Sequence, residues 1–171
     1  MNNSIALKDI LFEDFLNYRL PSMFLVTAEC DWKCCNELDI DNSICQNQAL
    51  VSKDTFIFSI SDIIKKYLEN DISKAVVFGG LEPLLQFNEV LHFIQQFREK
   101  SDDDIVIYTG YNKDEILDIV KELKPYKNII IKYGRYIPDN KPHYDETLGI
   151  NLVSDNQYAE RISDVEDSND F

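Results

Sequence analysis

Four short apolar runs punctuate the chain: SMFLVT (22–27), KAVVFGG (74–80), DIVIYTG (104–110) and NIIIKYG (128–134). Their length and β-branched content predict strands buried on both faces. Between them the apolar positions recur at helical spacing. Ile60, Ile63, Ile64, Tyr67 and Leu68 form one stripe, with Ser59 or Ser61 as N-cap. Val90, Leu91, Ile94 and Phe97 form a second, capped by Asn88. Ile116, Leu117, Ile119, Val120 and Leu123 form a third, behind an Asn112…Glu115 capping box and stopped by Pro125.

Strand and helix in alternation predict an α/β fold with a parallel sheet. Right-handed crossovers put all helices on one side when the strand order simply progresses. Four or five strands are too few to close an eight-stranded barrel. The expectation is an open, curved, mostly parallel sheet with helices on one side, a partial (βα) barrel. Residues 1–162 read as one domain, and the acidic stretch 163–171, poor in core-forming residues, as a frayed tail. The glycine-rich and cysteine-rich segments follow the carboxyl ends of strands, the edge where parallel sheets place their sites.

Composition narrows the function classes. Acidic residues outnumber basic ones 31 to 17, for a net charge of −14, which disfavours nucleic acid and anionic membranes as partners. No run approaches 18 apolar residues, and MNNSIALKDILFEDF lacks the basic start and apolar block of a signal peptide. The expected location is the cytoplasm, where disulfides rarely persist. That changes how the cysteines read, because all four lie between residues 30 and 45.

Clustered thiolates after a strand point to metal binding. Cys34 and Cys35 are adjacent, and neighbours ligate one ion only with strain, so three ligands are expected from Cys30, the Cys34/Cys35 pair and Cys45. Neither His92 nor His143 lies nearby; His92 reads as a packing residue on a helix and His143 as part of a loop. Spacing alone leaves an iron–sulfur cluster, a structural zinc and free thiols all open.

CDWKC followed by ICQN resembles the cluster loop of radical S-adenosylmethionine enzymes, C-x3-C-x-Φ-C, with Ile44 at the apolar position before Cys45. Ten residues, 35–44, separate Cys34 from Cys45 where the family has two, and Glu37 stands where the third cysteine would fall. VVFGGLEP resembles the family's G-G-E motif, with Leu81 inserted between Gly79-Gly80 and Glu82. DFLNYRLPSMFLVTAEC, IVIYTGYNKDEI, YGRYIPD and SDNQ are similar to segments of the anaerobic ribonucleotide reductase activating branch. In them Tyr18 and Glu29 replace glycines and Tyr133 an acid.

The resemblance implies the short radical S-adenosylmethionine type of partial barrel. It implies a [4Fe–4S] cluster held by Cys30, Cys34 and Cys45, with the Cys34/Cys35 choice open because of the insertion. S-adenosylmethionine would bind the free iron and be reductively cleaved to a 5′-deoxyadenosyl radical. Ile44 would pack on its adenine, Gly79, Gly80 and Glu82 would receive its ammonium, and Thr109 and Asn156, with Gln157, would line the rest of its pocket. Trp32 would cover the cluster or serve as a packing anchor. The implied partners are a glycyl-radical enzyme, the large subunit of anaerobic ribonucleotide reductase, and an electron donor such as flavodoxin or ferredoxin. The alternatives are a radical S-adenosylmethionine enzyme acting on another glycyl-radical enzyme, a peptide or a small molecule, and a non-enzymatic zinc or iron–sulfur module.

Overall fold

A computed structural model describes residues 3–163, so the acidic tail expected at 163–171 lies outside the described residues from 164 onward. In chain order the elements are β1 (Ser4–Asp14), β2 (Ser22–Thr27), α1 (Lys33–Leu38), α2 (Gln48–Val51), β3 (Phe56–Ser59), α3 (Ile60–Leu68) and β4 (Ala75–Gly79). They continue with α4 (Phe87–Arg98), β5 (Asp104–Tyr108), α5 (Leu117–Leu123), β6 (Ile129–Tyr133), β7 (His143–Asp145), β8 (Ile150–Leu152) and β9 (Tyr158–Arg161).

The four apolar runs become β2, β4, β5 and β6, joined in that order by parallel pairing. Their residues are apolar on both sides because both sheet faces are covered. Toward one face point Met23, Leu25, Val76, Phe78, Ile105, Ile107, Ile129 and Ile131, packed against α3, α4 and α5. Toward the other point Phe24, Val26, Ala75, Val77, Val106 and Ile130, meeting Tyr18, Leu148 and Leu152. All three crossover helices therefore share one side, as the progressive strand order requires.

The sheet is wider than the expected four or five strands: it has seven, in the order β3-β1-β2-β4-β5-β6-β9. The additions flank the parallel core antiparallel, β1 and β3 on one side and β9 on the other. A separate hairpin, β7–β8, packs Leu152 on the face opposite the helices, so His143 opens a strand rather than lying in a loop. No helix among the described residues is long and apolar enough to cross a membrane.

Helix starts follow side-chain chemistry. Ser59 caps α3 by accepting from the Asp62 N–H at 3.4 Å. Asn88 does not cap α4, which begins one residue earlier. A 3-10 turn, Pro83–Gln86, runs into it, and the cap of that turn is the Glu82 carboxylate on the Leu84 N–H. Proline at the first position preorganises such a start. The Asn112/Glu115 capping box forms, on a 3-10 turn (Lys113–Glu115) ahead of α5. In the stripes, Leu68 and Leu117 turn outward, 49 % and 57 % exposed.

Phe93 is fully buried, edge-on to Phe78 with centroids 5.2 Å apart and stacked on Phe97 at 5.6 Å. Replacing it by alanine is expected to cost about 3–5 kcal/mol in urea unfolding, because the cavity left between α4 and the sheet cannot collapse. Leu117→Ala, on the same side of the sheet but solvent-facing, should change stability by less than about 0.5 kcal/mol.

Candidate iron–sulfur site

The carboxyl ends of β2, β4, β5 and β6 each release a loop toward one cavity of about 410 Å³. After β2 come the cysteines; after β4, Gly80-Leu81-Glu82; after β5, Thr109-Gly110-Tyr111; after β6, Gly134 and Tyr136. The loops are bonded to one another through their backbones. Glu82 N–H donates to Glu29 O at 2.7 Å, and Gly134 N–H to Tyr111 O at 3.0 Å. Gly80 takes φ +88°, and a Cβ there would come within 2.7 Å of Val26 Cγ1, so the turn after β4 demands glycine.

All four thiols line the cavity, and none is in a disulfide. Three of them have a backbone N–H acting on the sulfur: Cys30 Sγ accepts from Trp32 at 3.4 Å, Cys45 Sγ accepts from Asn47 at 3.4 Å, and the Tyr136 N–H acts electrostatically to lower the pKa of the Cys34 thiol. Trp32 adopts φ +59°, the left-handed conformation from which its N–H reaches back to Cys30. Cys35 is buried, 3 % exposed, with no such donor acting on its sulfur. Burial pushes the Cys30 thiol up to about 11, with the Trp32 N–H opposing the shift and Asp31, Cys34 and Cys45 adding to it. Burial likewise raises Cys34, while the Tyr136 N–H, Arg135 and Lys132 oppose the rise.

A metal must displace those protons, and N–H donors stabilise the thiolates that result. Among the described residues no three Cys, His, Asp or Glu side chains converge to hold a single metal ion. A cluster requires no such convergence, because each cysteine binds a different iron. The donor set fits an iron–sulfur cluster: soft sulfur ligands, three of them supported by N–H groups, around one cavity.

Glu82 faces the same cavity and is 7 % exposed. Its carboxylate accepts from Leu84 N–H at 3.0 Å, Gly110 N–H at 2.9 Å and the Thr109 hydroxyl at 3.0 Å. Thr109, expected to touch a ligand, thus orients Glu82 and also accepts from the Tyr111 N–H at 3.0 Å. Gly110 does similar service for Cys34, since a Cβ there would lie 3.1 Å from the sulfur. Tyr111 completes the turn by donating to Asp31, next to Cys30, at 2.5 Å.

The structure therefore brings Cys30, Cys34, Cys45, Gly80, Glu82 and Thr109 together around one space. It places three other sequence-predicted residues elsewhere. Gly79 packs behind the cavity against Phe24. Ile44 is 47 % exposed on the 3-10 turn Asn42–Ile44 and is not part of the lining. Asn156 donates to Arg135 O at 3.0 Å, while its neighbour Gln157 does line the cavity. Trp32 lies outside the lining too. His92 bonds Gln96 at 2.9 Å and His143 the Gln157 carbonyl at 2.7 Å, both away from the thiols.

Lys132 was not singled out by sequence reasoning, although it is the one charged residue within NIIIKYG. It alternates with Ile131 and Tyr133, so it faces the cavity. There it is 7 % exposed and donates to Gly134 O at 3.2 Å. Burial lowers its pKa to about 8, against the pull of Cys34 and Glu82.

The family described as the 4Fe-4S single cluster domain matches residues 22–158 of the chain, which spans β2 to the first residue of β9. No curated protein and no solved structure matches.

Burial raises the Glu82 carboxyl from 4.5 to about 7, with the Gly110 and Leu84 N–H groups and Thr109 opposing and Asp31 adding. Between those values the folded chain keeps a proton that the unfolded chain has released, so stability falls as pH rises. Glu82→Gln abolishes that term. In urea unfolding of metal-free protein, its stability relative to wild type should rise by about 3 kcal/mol between about pH 4.5 and 8. A difference that stays flat with pH would show the carboxyl to be solvated.

Proposed function

We propose, from the premise that this chain belongs to the 4Fe-4S single cluster domain family, that it is a radical S-adenosylmethionine enzyme generating a glycyl radical on a partner. One observation carries the reading: three N–H-supported cysteine sulfurs and the buried Glu82 carboxylate share a single cavity. Three protein ligands leave a cluster one iron free for the amino and carboxylate groups of S-adenosylmethionine. When bound, the two groups would supply one-electron cleavage of the sulfonium C–S bond, giving methionine and a 5′-deoxyadenosyl radical able to abstract hydrogen.

The chain's residues then bind, orient and exclude water, as cofactor enzymes require. Cys30, Cys34 and Cys45 hold the cluster. Glu82, already anchored by two backbone N–H groups and Thr109, offers its remaining lone-pair site to an ammonium, whose charge favours the ionised carboxylate. Phe24, Val26, Leu50 and Tyr108 give the cavity an apolar wall that keeps water from a reactive carbon.

The partner we propose is the large subunit of anaerobic ribonucleotide reductase, with flavodoxin or ferredoxin as electron donor, in the cytoplasm. Support comes from the T-G-Y turn and the S-D-N-Q segment, whose Gly110, Tyr111 and Gln157 all reach the cavity. Leu11 and Asn17 form part of its lining, and between them Phe15 and Leu16 stand 64 % and 79 % exposed, an apolar surface of the kind that docks a protein.

Protein purified or reconstituted without oxygen should contain iron and sulfide, and with dithionite and S-adenosylmethionine should release 5′-deoxyadenosine. Cys34→Ala is expected to lose cluster and cleavage to background, while Cys35→Ala keeps both. A loaded cluster that never cleaves S-adenosylmethionine sinks the enzyme reading. Mixing with the reductase should produce a glycyl radical signal in electron paramagnetic resonance; cleavage without that signal sinks only the choice of partner.

A further inference from the structure

Arg135 follows β6 and is 6 % exposed; it is not part of the cavity lining and hydrogen-bonds no sulfur, although its charge acts on Cys34. Its guanidinium grips Glu115 with two bonds of 2.7 Å, Nη1 to Oε2 and Nη2 to Oε1. Nη2 also reaches Glu37 Oε1 at 2.8 Å, and Nε pairs with Glu37 Oε2. Nη1 donates to Gly110 O at 3.2 Å. Lys33 closes the set with a 2.5 Å bond to Glu115.

Each of these partners belongs to a segment that shapes the thiol cavity. Glu37 and Lys33 lie on α1, one turn after and one residue before Cys34. Gly110 is the residue against which the Cys34 sulfur rests. Glu115 closes the capping box by accepting from Asn112 N–H at 2.8 Å. Glu37 itself lies within 35–44, the stretch that lengthens the chain between Cys34 and Cys45. A longer connection lets the helix bearing Cys34 drift unless something fixes it from outside.

We propose that Arg135 is a positioning residue for the cluster, clamping the lengthened cysteine loop through Glu37 so that the Cys34 sulfur stays seated against Gly110. The inference rests on the cluster that the family supplies, not on cleavage of S-adenosylmethionine. Glu37 is 45 % exposed and Arg135 keeps its two bonds to Glu115 without it, so this pair contributes little to global stability. Its loss instead raises the frequency of local opening in the segment it holds. A clamp and a merely structural salt bridge therefore differ in what they change.

The test uses the reconstituted holoprotein, with iron release to a chelator followed at low and high salt. Glu37→Gln keeps the shape and removes the charge. It should release iron about three- to tenfold faster than wild type at low salt, and salt should speed release from wild type but not from the variant. The reduced cluster's electron paramagnetic resonance signal should broaden as the Cys34 position spreads, while the urea midpoint of metal-free protein stays unchanged. Asp39→Asn, which removes an exposed acid from the same loop, should behave as wild type.

Release from Glu37→Gln at the wild-type rate overturns the clamp, as does equal acceleration by Asp39→Asn. A wild-type protein that takes up no iron overturns the cluster reading and the clamp together. A protein that loads iron, shows the Glu37 effect and does not cleave S-adenosylmethionine keeps the clamp and loses only the enzyme reading.

Discussion

A thiolate held away from water is costly unless something answers its charge, and this molecule is arranged around that cost. Burial, with Asp31, Cys34 and Cys45 adding to it, holds the Cys30 thiol up at about 11 even with the Trp32 N–H opposing. The sulfur therefore ligates only when a metal displaces its proton and the thiolate's charge is answered. Backbone N–H groups supply the compensation at Cys30, Cys34 and Cys45. They can do so because the chain leaves regular structure at those points: Trp32 turns left-handed, and Asn47 and Tyr136 sit in loops with N–H groups that no strand or helix consumes. Cys35 has burial without a donor, which is the physical difference between it and its neighbour.

Those loops meet because the parallel core of the sheet points four strand ends the same way. This part of the fold was legible in the sequence. A strand buried on both faces must be apolar throughout, and β2, β4 and β6 are buried at every position, so they stand out as continuous runs. The flanking strands were not legible for the converse reason. β1 is bent by two register shifts, between Leu7 and Asp9 and between Leu11 and Asp14, which break its alternation. β3 has only four residues, with Phe56 and Ile57 exposed, and β9 reads Tyr-Ala-Glu-Arg with two of its side chains in solvent.

The site divides in the same way. Cysteines, the double glycine and Glu82 announce themselves because few backgrounds place those types after strands. Lys132 carried a signal, a charge inside an apolar strand, but nothing in the sequence says which face of the sheet holds a cavity. Arg135 carried none. Its carboxylate partners lie 20 and 98 residues away in sequence, and only the folded sheet edge brings them together. Thr109 was legible as a residue of the site, but not its bond to Glu82, a residue 27 positions away that only the folded sheet edge brings beside it.

The lengthened loop shows how such a site tolerates change. Ten residues rather than two between Cys34 and Cys45 raise the entropic cost of closing the loop by only roughly 1 kcal/mol, since that cost grows with the logarithm of length. The larger risk is geometric, because extra chain gives the Cys34 helix more positions to occupy. The stretch 35–44 meets that risk from within: Asp41 caps the turn leading to Cys45, and Ile40 lines the cavity wall. It also meets it from outside, because Glu37, one turn after Cys34 on the same helix, pairs with Arg135. An anchor on the helix of Cys34 constrains the coordinate that a long connection between Cys34 and Cys45 leaves loose.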